Sequence, residues 1–154
     1  MPLISRNIRI SLVAIGALVC TVIAWSVLGC PTSIDEAVFL RRVSSSASAG
    51  SQELKLAQLM PGDWELVCES HGYDGPLYLR RYERTYPPAA PSQDGVWGLI
   101  FIAKDGSYRS AVGSCGRVGA NLTFEPHVCI DRPRAILVLA GNRTSCPTFS
   151  VRHG

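Results

Sequence analysis

The run ISLVAIGALVCTVIAWSVLG, residues 10–29, carries no charge, and the nine residues before it carry Arg6 and Arg9 but no acid. A basic stretch followed by an apolar one is the pattern of an export signal. Twenty uncharged residues make a helix of about 30 Å, long enough to cross a bilayer. The apolar core of a cleaved signal is usually only about 7–15 residues, so length favours a retained anchor, with Trp25 suited to the interface. Either way Arg6 and Arg9 stay in the cytoplasm and the rest is exported. Residues 1–29 are therefore set aside as a signal or membrane-anchor segment.

Where the run ends, VLGC (27–30) resembles the bacterial lipobox. In that motif an aliphatic residue stands three before the cysteine and a small one directly before it, and the thiol accepts diacylglycerol. Val27, Gly29 and Cys30 match; Leu28 is bulkier than the usual Ala or Ser, and Pro31 is an unusual follower. A cleaved, soluble export product is the least favoured outcome; a lipid on Cys30 is the preferred anchor and an uncleaved helix the next. Both anchors imply an exported, membrane-anchored protein of a bacterial cell envelope.

Charge says little about a partner. The formal net charge is +3, but two of the 15 Lys+Arg residues, Arg6 and Arg9, precede Cys30, which leaves 13 against 12 acids. The only adjacent Lys or Arg residues are the pairs Arg41-Arg42 and Arg80-Arg81. A nucleic-acid footprint needs basic residues clustered on one face, so no nucleic-acid partner is expected.

The cysteines constrain more. Cys20 lies in the apolar run and Cys30 at its end, which leaves Cys68, Cys115, Cys129 and Cys146. Four cysteines in an oxidising compartment predict two disulfides, with three possible pairings. Cys115 with Cys129 would clip neighbouring strands, and Cys68 with Cys146 would tie the first strand to the last; this is the favoured pairing. The rival reading is metal. CESH (68–71) and HVC (127–129) offer Cys68, His71, His127 and Cys129, a Cys2His2 set of the kind that zinc takes. The H-x-C spacing is tighter than in common zinc knuckles, and exported thiols oxidise, so neither a metal nor another cofactor is expected.

Along the chain, SIDE (33–36) reads as a capping box that opens a short helix over about 34–43. SSSASAGS (44–51) is small and polar and reads as a flexible tether. QELKLAQLM (52–60) has helical spacing and stops at Pro61-Gly62. Residues 30–61 are thus expected to be short helices and a tether, and 62–154 a disulfide-stabilised domain. DWELVCE (63–69) alternates and predicts a half-buried strand, with Trp64, Leu66 and Cys68 on one face. Pro76 at a first helical position, with Leu79, Tyr82 and Tyr86 on one side, predicts a helix over LYLRRYERTY. VWGLIFIA (96–103) is an unbroken apolar run and predicts a central strand covered on both faces. Asp105-Gly106 predicts a hairpin turn, with YRSAV (108–112) returning beside it. NLTFEPHVC predicts a strand broken at Pro126, AILVLAG a second buried strand, and CPTFSVR a last one. The sum is an α+β domain: a small, mainly antiparallel sheet of about five strands with one or two helices.

Trp64, Val67 and Cys68 (W-x-x-V-C), the Gly98–Ala103 strand and Asp105-Gly106 resemble a family of small bacterial envelope lipoproteins over roughly residues 60–146. Those chains carry a lipobox, W-x-x-V-C, and an apolar strand with a charged Asp-Gly turn. Cys115 and Cys129 depart from that pattern. The resemblance implies compartment and fold, and it supplies no activity.

The chain contains no G-x-S-x-G, H-E-x-x-H, phosphate-binding glycine loop or EF-hand loop. GSCGRVG (113–119) holds Cys115, a nucleophile only if its thiol is free. His71, Tyr73, Tyr78, Arg80, Arg81 and Tyr82 form a candidate protein-binding surface, because Tyr and Arg are favoured in interfaces. The expected function is a membrane-anchored, exported module that binds protein or serves the envelope structurally, with no catalytic residue. The alternative is a small metal-binding or thiol-active domain built on Cys68, His71, His127 and Cys129.

Overall fold

The computed structural model of the protein describes residues 33–124, 129–141 and 146–151. The predicted signal or anchor segment, Cys30 and His127 lie outside the described residues. The folded unit spans Thr32–Gly154.

The first helix, α1 (Ile34–Ser48), is opened by Ser33, whose hydroxyl accepts a hydrogen bond from the Glu36 N–H at 3.1 Å. This is the serine half of the predicted capping box. Glu36 is buried, and one of its oxygens accepts the Val112 N–H at 3.1 Å. The helix continues through Ser44–Ser48, where composition predicts a tether. Ser and Ala do not forbid a helix, and Phe39, Leu40 and Val43 bury a stripe that holds it to the core. It stops only at Gly50, whose φ of 72° suits a residue without Cβ.

The domain therefore begins near Ser33 and not at residue 62. QELKLAQLM likewise does not form one helix. Glu53–Lys55 is strand β1, and Leu56–Leu59 is a single turn, α2. Arg42 of α1 donates to the carbonyls of Gln58 and Leu59 and pins that turn in place.

A four-stranded antiparallel sheet forms the centre, in the order β6-β5-β2-β8: Tyr108–Ser114, Val96–Ile102, Leu66–Glu69 and Cys129–Asp131. Strand β5 is the predicted central strand. Trp97, Leu99 and Phe101 enter a large core on one face, while Ile100 and Ile102 enter a smaller core on the other. The Asp105-Gly106 turn follows. Gly106 has φ of 77°, its N–H donates to Ala103, and Asp105 accepts both the N–H and the hydroxyl of Ser107.

Strand β2 is covered on both faces, a correction to its half-buried reading. Val67 and the preceding Trp64 join the large core; Leu66 and Cys68 join the small one. The cause is a cover that the sequence had assigned to helix. Residues 77–86 form a hairpin of β3 (Leu77–Leu79) and β4 (Arg84–Tyr86), closed by a 3-10 turn and by Glu83 at a left-handed φ of 49°. Alternation wins over helical spacing here: Leu77 and Leu79 pack against the small core while Tyr78 points outward.

A second four-stranded sheet has the order β1-β9-β10-β7, with β9 at Ile136–Gly141, β10 at Thr148–Val151 and β7 at Asn121–Thr123. Its β7–β10 pair is parallel and its other pairs are antiparallel. Thus β7 and β8, read as one interrupted strand, belong to different sheets. Leu54, Leu122, Leu137 and Phe149 of this sheet meet the large core, together with α1. Phe39 packs edge-on against Trp97 and Phe101 at 6.4 and 5.3 Å, and Trp64 against Phe101 at 5.1 Å. Such pairs add roughly 0.5–1.5 kcal/mol each beyond area burial. The architecture is α+β with mainly antiparallel sheets, and it has twice as many strands as the sequence suggested.

All four predicted cysteines are oxidised, but the favoured pairing is corrected. Cys68 joins Cys129, and Cys115 joins Cys146. Cys68 and Cys129 stand directly opposite each other in the β2–β8 register, with Cα atoms 4.2 Å apart. Cys115 opens α3 (Cys115–Val118), which leads from the central sheet to the second one, where Cys146 precedes β10. Nearness in sequence misled because β8 returns to the central sheet while α3 leaves it.

Candidate functional site

The β3–β4 hairpin lies as a flap over one face of the central sheet, and it divides the six predicted surface residues into two sets. Beneath it, Tyr86 is buried, donates to the Gly106 carbonyl at 3.2 Å, and meets the Tyr82 and Tyr108 rings edge-on. Burial raises its phenol pKa above the ordinary tyrosine value. Arg84 donates to the same carbonyl.

Along one margin, Tyr82 donates to a Glu65 oxygen at 2.5 Å, and Arg81 pairs with that oxygen at 3.1 Å. Burial, together with the Glu65 carboxylate, pushes the Tyr82 phenol up to about 12. Arg81 also stands 5.7 Å from the Tyr82 ring centre. His71 Nε2 is 2.8 Å from Glu69 Oε1, while Glu69 Oε2 accepts the Phe124 N–H. His71, Arg81 and Tyr82 therefore fasten the flap and its approach to the sheet, and their polar groups are already engaged.

Tyr73, Tyr78 and Arg80 remain outward. Tyr73 is 65% and Tyr78 60% exposed, and Tyr73 donates to Asp94 at 3.3 Å. Arg80 is exposed as well. Tyr73 stands in the 3-10 turn Gly72–Asp74 and Tyr78 and Arg80 on the hairpin that follows; flat amphipathic rings and a guanidinium are the side chains favoured where proteins meet.

At the turn end of β5, a cleft of about 460 Å³ is lined by Trp64, Glu65, Lys104, Asp105 and Arg109 among others. Its charges are largely spoken for. Glu65 holds the flap, Asp105 holds Ser107, and Arg109 pairs with Asp35 and donates to Pro61. The Ser107 hydrogen bonds hold the Asp105 carboxyl below the usual carboxylate range.

The metal reading needed Cys68 and Cys129 as thiolates, and these two residues share a disulfide. Among the described residues, no group of three His, Cys, Asp or Glu side chains is placed to hold an ion. Cys115, considered as a nucleophile, is bonded to Cys146. Sequence reading missed Glu65 and Glu69 as the groups that organise this face. Their signal was present: both stand in the alternating W-E-L-V-C-E strand, where an acid opposite a Tyr/Arg-rich segment invites pairing.

The fold and this face define a disulfide-linked α+β domain of two four-stranded sheets, with a two-stranded, tyrosine-bearing flap. No family model, curated protein or solved structure matches the chain. The two disulfides are consistent with an oxidising, exported setting. Among the described residues no helix is long and apolar enough to cross a membrane; residues 10–29 are not among them.

Proposed function

We propose that this chain is an exported module of the cell envelope, held at a membrane by a lipid on Cys30 or by an uncleaved helix over residues 10–29, and that it acts by binding another protein. The observation that carries the binding part is the exposure of Tyr73, on the approach to the flap, and of Tyr78 and Arg80, on the flap itself, while Tyr82 and Arg81 are engaged with Glu65. The anchoring part is supported by Arg6, Arg9, the uncharged run and VLGC. The four oxidised cysteines fit the compartment.

The test of binding uses the purified full chain as bait against detergent-extracted envelope proteins, beside a variant carrying Tyr73→Ala, Tyr78→Ala and Arg80→Glu. A stoichiometric partner is retained by the wild type and lost by the variant, while the denaturation midpoint of the variant is unchanged. Retention of the same proteins by both chains sinks the reading. For the anchor, Cys30→Ser leaves an unprocessed precursor if Cys30 is lipidated. Unchanged mass and fractionation would instead select the uncleaved helix.

A further inference from the structure

We propose that the end of the domain carrying Ile34 and Tyr108 rests on the lipid surface, so that the opposite end, carrying Tyr73, faces away from the membrane. This rests on the anchoring part of the proposed function. The sequence reading allowed the domain to wander on a tether over 44–51, but Ser44–Ser48 is helical and α1 starts at Ile34. Between Cys30 and Ser33 the chain spans at most about 11 Å in any conformation. A domain on so short a lead touches the surface to which it is anchored.

The side chains at that end suit such contact. Ile34 is 84% exposed, the most exposed of the large apolar residues among those described, and Tyr108 is 46% exposed. They belong to one surface: Ser33 and Asp35, which flank Ile34, line a shallow groove with Tyr108 and Arg109, and Arg109 pairs with Asp35 at 3.1 Å. An isoleucine left in water is unfavourable, and acyl chains would take it out of water. A tyrosine at the headgroup level is the usual amphipathic companion. The adjacent 104–107 turn adds Lys104, with Arg84 hydrogen-bonded to it, and both suit anionic headgroups.

Orientation follows from the central hairpin. Tyr108 pairs with Ile102 at the turn end of β5 and β6, whereas Tyr73 reaches Asp94 beside Val96, where β5 begins. A seven-residue strand, about 23 Å long, separates the two ends.

The full chain is made with photoreactive benzoylphenylalanine replacing Ile34, Tyr108 or Tyr73, then reconstituted in phosphatidylethanolamine–phosphatidylglycerol vesicles. After illumination, intact mass reads phospholipid adducts. Adducts are expected from positions 34 and 108 and none above background from 73. All three positions are exposed, so the fold is retained, and unchanged non-reduced gel mobility checks this. Equal adducts at 73 and 108, or no lipid adduct at 34 and 108 from chains that resist alkaline carbonate washing, would overturn the orientation while leaving the anchor intact. Protein adducts at 34 in place of lipid would assign that end to a protein neighbour and overturn it too. If carbonate strips the chain from the vesicles, the anchoring reading itself fails, and the orientation with it.

Discussion

The two faces of β5 are covered by different means. On one, Trp97, Leu99 and Phe101 meet α1 and a whole second sheet, and the contact is apolar, with edge-on aromatic pairs. On the other, Ile100 and Ile102 are roofed by two three-residue strands. That roof buries few large side chains, chiefly Tyr86, and relies on Tyr82, Arg81 and Arg84 reaching polar groups at its margin. Apolar burial scales with area, so the first face carries most of the global stability. A hydrogen bond adds only about 1 kcal/mol net, so the flap is the element expected to open locally below the global unfolding free energy.

The sharpest way to break this contrast is to empty the large core. Phe101 touches both Phe39 and Trp64. Phe101→Ala should cost about 3–5 kcal/mol in denaturant unfolding and should lower flap and core together. A loss confined to the flap would show that the two cores are separate folding units.

Next in size are the cross-links. The Cys68–Cys129 bridge has a sequence separation of 61 and joins strands under the flap; Cys115–Cys146 has 31 and ties the two sheets. The chain-entropy relation gives roughly 4.3 and 3.7 kcal/mol for removal of each as a Cys→Ser pair. Iodoacetamide on the non-reduced chain should leave all four cysteines unmodified by intact mass. Uptake of four alkyl groups by these residues would reject both bridges and return attention to the zinc reading.

A smaller effect isolates the flap approach. A Cβ at Gly98 would lie 2.6 Å from the Ala90 N and 2.8 Å from the Ser70 O, backbone atoms that cannot swing aside. Gly98→Ala should cost about 1–3 kcal/mol, the range for forcing extra atoms into a packed site. Amide exchange should quicken in residues 77–90 more than in α1; uniform quickening would contradict the division.

The smallest effect depends on pH. The folded phenol of Tyr82 titrates near 12, above its value of about 10 in the unfolded chain. Its stabilising contribution is thus complete below about pH 10 and is lost as pH rises towards about 12. Tyr82→Phe should lower stability by about 1 kcal/mol at neutral pH, since this bond is partly exposed to solvent. The variant should also lose part of the alkaline decline measured by denaturation midpoints from pH 8 to 12. Parallel curves for both proteins would remove Tyr82 as the titrating lock.

Some of this could be read in the chain. VWGLIFIA spelled out a strand apolar on both faces, and Asp105-Gly106 spelled out its turn, because both signals are complete within a few residues. Ser33 announced the start of α1 for the same reason. The flap was misread because LYLRRYERTY satisfies helical and strand periods together, and only the apolar face of β2 and β5 beneath it rewards the strand. The serine-rich stretch was misread because composition reports what a segment prefers alone, whereas Phe39 and Val43 tie its first turns to a core built from distant strands.

By itself the sequence determined that four cysteines lie in one folded unit, that β5 is the central strand, and that Asp-Gly turns it back. It determined these because covalent content, hydrophobic run length and turn chemistry are local properties. Tertiary structure alone decided which cysteine meets which, because that rests on the register of β8 against β2 and on the passage of α3 to the second sheet. It also decided that Tyr82 and Arg81 are engaged by Glu65 while Tyr73 and Tyr78 are left exposed. That choice depends on an acid brought beside the flap from another strand, a partner that the local sequence does not contain.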